Sequence, residues 1–211
     1  MVEDFSEEAI RTNCPHCDLN STAYTYLLER TDNFSIVCDA NPIVEGHILI
    51  IPKTHVSCIG EYSEELFKEF MELDKKVSQF VSSEYGYVSS FEHGVFGQTV
   101  FHSHVHYIPF NGKPTDIIPE GEDKLTKIQS LDELKPFLKK DGGYLFFSIG
   151  KDQWVVDPQI AAPRFFRDRF AKALGRPERG NWKAMRANEE LMKESQKDGL
   201  NTQTKWKSHS A

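Results

Sequence analysis

The sequence predicts an α+β fold in which an antiparallel sheet carries one long helix, with a further α+β elaboration after it. Three observations carry this. β-Branched runs flank a turn at 34–52, one amphipathic helical pattern fills 63–85, and the strand patterns beyond it do not alternate with helices as a parallel sheet requires.

Taken in order, "FSIVCD" (34–39) and "HILIIP" (47–52) are short strands, and the intervening "ANPIVEG" places Pro42 and Gly46 in a connecting turn, so the two form an antiparallel pair. Ser63 is a helix N-cap with Glu64 and Glu65 in the positive first turn. Leu66, Phe67, Phe70, Met71, Leu73, Val77, Phe80 and Val81 then recur at helical spacing until Tyr85-Gly86 ends the helix. "YVSSFEHG" (87–94) reads as a strand and "GQTVFHSHVHYIP" (97–109) as another, turned around Gly94 to Gly97.

Beyond Pro109, "NGKPTDIIPEGEDK" is rich in turn residues, and "SLDELKPFLKK" is a short helix interrupted or begun at Pro136. "GGYLFFSIGKDQWVVDP" is a hairpin turning at Gly150-Lys151-Asp152. "APRFFRDRFAKALG" is helical, with Phe165, Phe166, Phe170 and Leu174 on one side and Arg164, Arg167 and Arg169 around the other. From about Asn188 the chain is polar and is expected to be a frayed helix or mobile tail. The expected division is a core at 1–110, an elaboration packed on it at 111–187 and a polar tail at 188–211.

A chain of 211 residues closes one full hydrophobic core with some length to spare. Its formal net charge of -7 argues against a surface for large nucleic acids, which needs a clustered basic face. The start, "MVEDFSEEAI", lacks the layout of a secretory signal, and no apolar run approaches bilayer length, so no membrane partner and a cytoplasmic address are expected. Cys38 and Cys58 sit singly in apolar segments and read as small buried hydrophobes; Cys14 and Cys17 form a CxxC pair.

Alternation along a strand would project His102, His104 and His106 from one face, roughly 6.5–7 Å apart, with Val100 and Ile108. Three readings compete: metal ligands, a nucleophile with its helpers, or polar packing. Two histidines at this spacing can hold zinc with a third ligand from elsewhere, as in a zinc-dependent hydrolase. A neutral imidazole can equally attack phosphorus with one nitrogen while the other N–H is held. Composition and spacing do not choose. "NCPHC" (13–17) is similarly open: two thiolate zinc ligands, a redox pair, or an unligated reduced pair, with His16 either ligating or facing water.

"GQTVFHSHVHYIP" resembles the signature of the histidine triad (HIT) superfamily, and "DANPIVEGHILIIPKTHV" (39–56) resembles the same family's earlier segment, in which an acidic residue, Pro and Gly-His lead to Pro-Lys-x-His. The resemblance covers about residues 10 to 110 and implies a nucleotide-binding fold that attacks an α-phosphate. On it, His104 matches the nucleophile that forms a covalent nucleotidyl-histidine, and His106 the histidine bonded to the phosphate. Gln98 and Thr99 match residues that touch the phosphates or leaving group, and Asp39, with Asn41 as the alternative, the acceptor of ribose hydroxyls. The implied activity is that of a nucleotide hydrolase or nucleotidyl transferase on a diadenosine polyphosphate, nucleoside phosphoramidate or similar substrate; the alternative is a regulatory module that binds nucleotide with little catalysis.

The resemblance further implies a structural zinc held by Cys14, Cys17, His55 and His102, and homodimerisation, which is common in the family. His47 is read as packing at the strand entrance near the site, with a plain structural role as the alternative, and Glu92 and His93, close in sequence to the histidine segment, as candidate supporting groups behind it. Arg164, Arg167 and Arg169 are read as a solvated face over a packing helix in preference to reaching outer phosphates, and Trp154 and Trp182 as core.

Overall fold

The computed structural model describes residues 13–209; the acidic stretch read above as lacking an export signal lies outside them. Among the described residues eight strands form one antiparallel sheet: β1 (Tyr26–Arg30), β2 (Phe34–Cys38), β3 (Ile48–Pro52), β4 (Ser89–Gly94), β5 (Val105–Ile108), β6 (Leu125–Ile128), β7 (Tyr144–Ile149) and β8 (Asp152–Val156). Their order in space is β1-β2-β3-β5-β4-β7-β8-β6. The helices are α1 (Glu64–Tyr85), α2 (Pro114–Ile117), α3 (Leu134–Asp141), α4 (Phe165–Ala173), α5 (Trp182–Met185) and α6 (Glu189–His209). The C-terminal strands continue the first five at the edge of β4, so the expected boundary near residue 110 crosses an uninterrupted sheet. None of the helices among the described residues is long and apolar enough to cross a membrane.

Both faces of the sheet are covered, which is why its strands read as apolar runs and not as strict alternation. On one face Phe34, Ile36, Ile48, Ile50, Val105, Tyr107 and Phe146 pack beneath Phe70, Leu73, Val77 and Phe80 of α1. On the other, Phe91, Ile108, Leu145 and Phe147 meet Phe166 and Phe170 of α4. The expected ends of α1 are present: Ser63 accepts from the Leu66 amide, and Gly86 closes the helix at φ 90° with its N–H on Ser82 O.

The histidine segment departs from expectation. β5 begins only at Val105, so His102 and His104 lie in the loop that enters it and the three rings do not share a strand face. β3 and β4 pair with β5 only at residues 105–108, and beyond Phe91 β4 pairs with β7, so among the described residues no strand continues the ladder backwards. The loop is held by other means: the Ser103 amide donates to Val56 O at 2.7 Å and its hydroxyl to Glu92 at 2.8 Å.

The expected polar tail is also different, being the 21-residue helix α6 docked against β1 and β2. Its buried stripe is Ser195, Gly199, Thr202 and Trp206, a helical spacing made almost wholly of small or polar residues. A Cβ on Gly199 would lie 2.6 Å from the Tyr26 ring, so the close approach of helix to strand requires glycine there. Thr202 Oγ1 accepts from the Gly46 amide at 2.9 Å, which fixes the turn leading into β3.

Candidate functional site

Leu49 of β3 and His106 of β5 are cross-strand partners. They floor a cleft between the apolar cluster of Tyr24, Val37 and Ile51 and the α4 cluster. The cleft holds about 770 Å³ including its open mouth. Pro15, His16, Thr22 and Ala23 wall one side, and Asp39 to Asn41 wall a second. Thr99, Val100 and His104 form a third wall, and Arg167, Trp182 and Arg186 come from the C-terminal segment. Asp39, Asn41, Thr99, His104 and His106 are therefore brought together. Gln98 is not among the walls: its buried amide donates to Ser57 O at 2.6 Å and ties the loop before the histidines to residue 57.

The ring protons follow from the neighbours. The Ile43 amide donates to His47 Nδ1 at 3.1 Å, so neutral His47 carries its proton on Nε2. That nitrogen lies 2.9 Å from His106 Nδ1, which must accept, leaving the His106 proton on Nε2. His106 Nε2 is buried and has no partner among the described residues, which leaves a donor at the floor of the cleft. His104 Nδ1 sits 2.6 Å from the His102 carbonyl, which can only accept, so the lone pair of His104 is on Nε2. The His104 and His106 rings are 4.9 Å apart at their centroids, and Phe91 stacks on His106 at 4.2 Å. Burial holds His47 down at about 4, His106 well below the usual imidazole range and His104 below it, so all three are neutral near pH 7.

His102 points elsewhere. Its Nε2–H donates to Pro52 O at 2.8 Å, which leaves the Nδ1 lone pair facing Cys14 and Cys17, each sulfur 3.5 Å away. Cys17 Sγ is 3.2 Å from His55 Nδ1, and the four ligand atoms all lie within 4.8 Å of one another. A tetrahedral zinc with sulfur at about 2.3 Å and nitrogen at about 2.0–2.1 Å sets sulfur–nitrogen separations near 3.6 Å, so this donor set fits the ion. The carbonyl on the far nitrogen of His102 is the usual support of a metal-binding imidazole. His16 is not in this group; its ring lies against His104 at 4.8 Å. A second cluster, Asp39, His47 and His106, is close enough to bind a metal, but its imidazoles bond to each other and a guanidinium occupies its carboxylate.

That guanidinium is Arg167, which is buried, not solvated as expected. Its Nη1 donates to Asp39 Oδ2 at 2.6 Å, and Nη2 to Asn41 O at 2.8 Å. Burial alone would raise the Asp39 carboxyl; Arg167 beside it, with His47 and the Asn41 amide, holds it below its ordinary value. Arg169 instead pairs with Glu120 and Arg164 with Asp168, away from the cleft. Trp182 walls the cleft, where core packing was expected. Sequence periodicity separates helix faces but does not say which arginine meets a distant carboxylate, and so it left Arg167 on a solvated face.

Glu92 supports the loop from behind. Fully buried, it accepts from the Ser103 and Tyr144 hydroxyls and the Ile59 amide, and burial pushes its carboxyl up to about 7 despite those donors. A folded-state value above the unfolded one favours folding below about pH 4.5, and the benefit is lost as pH rises through 7. Glu92→Gln removes this titration. In urea unfolding, wild type should lose about 3 kcal/mol relative to Glu92→Gln between pH 4.5 and 8. A stability difference independent of pH would contradict this.

The HIT domain family model matches residues 20–112. Protein hit of Bacillus subtilis is 35% identical over 79 residues, which cover 36% of this chain and 54% of that protein, so the chain spans about half of its length. An uncharacterized HIT-like protein of Borreliella burgdorferi is 30% identical over 104 residues, 46% of this chain and 75% of the other. The adenosine 5'-monophosphoramidase of Saccharomyces cerevisiae is 26% identical over 125 residues, covering 58% and 73% of the two chains. The matched segment carries Asp39, His47, His55 and the three histidines of the loop and β5, and the chain belongs to the HIT domain family.

Proposed function

We propose that the protein is a nucleotide hydrolase or nucleotidyl transferase that attacks an α-phosphate through His104. One observation carries the reading: the proton chain from the Ile43 amide through His47 to His106 leaves an unpartnered N–H beside an unprotonated His104 Nε2. A nucleophilic lone pair next to a donor for a phosphoryl oxygen is what this reaction needs. The name of the Saccharomyces cerevisiae relative, a phosphoramidase, agrees with it.

In the first step His104 Nε2 bonds to phosphorus as the bond to the leaving group breaks, and the leaving group departs with the electron pair and takes up a proton from solvent water. Water then attacks the nucleotidyl-histidine, loses a proton and restores the imidazole; in a transferase another acceptor takes the place of water. Charge gathered on the phosphoryl oxygens meets the N–H of His106, while Thr99 touches the leaving group and Gln98 holds that loop in place. Asp39 and Asn41 face the sugar. Cys14, Cys17, His55 and His102 would hold a structural zinc, whose contribution is to pin the N-terminal wall to the loop whose 102 carbonyl orients His104.

Incubating the full chain with adenosine 5'-monophosphoramidate and with diadenosine polyphosphates tests this. Release of the mononucleotide is expected; tight nucleotide binding without turnover of either would favour the regulatory reading.

A further inference from the structure

The cleft has two arginines at its Asp39–Asn41 end, and they are used differently. Arg167 spends its donors inside the protein, on Asp39, Asn41 O, Arg179 O and Gly180 O. It cancels the charge of Asp39, the single acidic residue among the described residues of the cleft walls. Arg186 is the opposite case. It is exposed, its guanidinium lies over the Trp182 ring at 4.8 Å, and its one side-chain hydrogen bond among the described residues is from Nε to Asn41 Oδ1 at 3.5 Å. Among the described residues no carboxylate lies within ion-pair distance of it, although the chain carries a net charge of -7. Its two terminal nitrogens are left over.

In dinucleotide-binding folds a carboxylate accepts from the ribose hydroxyl, whereas an arginine near that position accommodates a phosphate on the ribose, and the same charge logic applies to any ribose pocket. Here the carboxylate is neutralised and a second, stacked arginine is presented next to it. The reacting phosphate has its own donor in His106, at the far nitrogen from Asp39, so Arg186 serves another anion. We propose that Arg186, stacked on Trp182 and backed by the Arg167–Asp39 pair, is a subsite for a second phosphate on the ribose. The substrate class is then a nucleotide phosphorylated at its 2' or 3' position as well as at the 5' α-position. This rests on the nucleotide reading above and adds to it what the C-terminal segment selects.

Calorimetric titration of the full chain with adenosine 5'-monophosphate, adenosine 2',5'- and 3',5'-bisphosphate and adenosine 5'-diphosphate tests it. One bisphosphate should bind about tenfold more tightly than the monophosphate, equivalent to about 1.4 kcal/mol, and more tightly than the diphosphate. In Arg186→Ala that ratio should fall to within about twofold, and raising the salt should narrow it in wild type. Equal binding of monophosphate and bisphosphates overturns the subsite while leaving the nucleotide reading intact, as does a preference that survives in Arg186→Ala. A diphosphate that gains as much as the bisphosphates and loses it in the variant moves the arginine to the 5' chain and overturns the assignment to the sugar. Binding of none of the four overturns both readings.

Discussion

Replacing His104 by asparagine should lower turnover of adenosine 5'-monophosphoramidate by about a thousandfold or more, with nucleotide affinity changed by less than about threefold. The substitution isolates the nucleophile. An asparagine amide can still donate to the His102 carbonyl, as His104 Nδ1 does at 2.6 Å, so the loop keeps its anchor. What it lacks is a lone-pair nitrogen at the position of Nε2. Losing covalent attack leaves only binding and the His106 donor to speed the reaction, and those survive in the variant. Steady-state kinetics beside calorimetric affinity for the mononucleotide measure both halves. Turnover retained within about tenfold would mean that His104 Nε2 is not the attacking atom.

Cys17→Ser should remove a metal and a large part of the stability together. Wild type is expected to carry about one zinc per chain by elemental mass spectrometry, and the variant far less. Cys17 Sγ lies 3.2 Å from His55 Nδ1 and 3.5 Å from His102 Nδ1, so its loss opens the cluster at the atom shared by both histidines. Structural zinc in small domains contributes on the order of 10 kcal/mol, and even 4 kcal/mol is a large share of the stability of an ordinary domain. For a chain of this size that corresponds to a fall in melting temperature of about 10 °C or more. Chelation of wild type should reproduce the fall, and adding chelator to the variant should do little. A metal-free wild type melting at the same temperature as Cys17→Ser would exclude the zinc.

How much of this was legible in the sequence depends on where side chains point. The α1 helix was readable from its caps and its apolar stripe because every buried position on it is a large hydrophobe, from Leu66 to Val81. The central strands and the hairpin at Gly150 were readable for the same reason. β1 and β6 left little signal, since as edge strands they are only partly buried and carry Glu29, Thr126 and Lys127 in their runs. α6 was hidden by its chemistry: a helix that docks through serine, glycine and threonine, with one tryptophan, looks polar from end to end.

At the site, the spacing of His102, His104 and His106 singled out residues that the fold divides between the cleft and the cysteines, and the reason for singling them out only partly holds. The period of two assumes an extended strand, yet His102 and His104 lie in a loop. The division of labour among the rings comes from that break, which turns His102 towards the cysteines while His104 and His106 stay together at the cleft. His47 and Arg167 carry the proton arrangement and the charge balance, and both act through partners distant in sequence. Such pairings have no local pattern to be read from.

The most direct measurement is the mass of the protein during turnover. The full chain is mixed with nucleoside phosphoramidate or dinucleotide substrate, quenched within a turnover in alkaline denaturant and digested. One nucleotidyl group is expected on the peptide that contains His104, appearing and decaying at rates compatible with turnover, and missing in His104→Asn. Full turnover with no adduct at any time, or with the adduct on another residue, would contradict attack by His104.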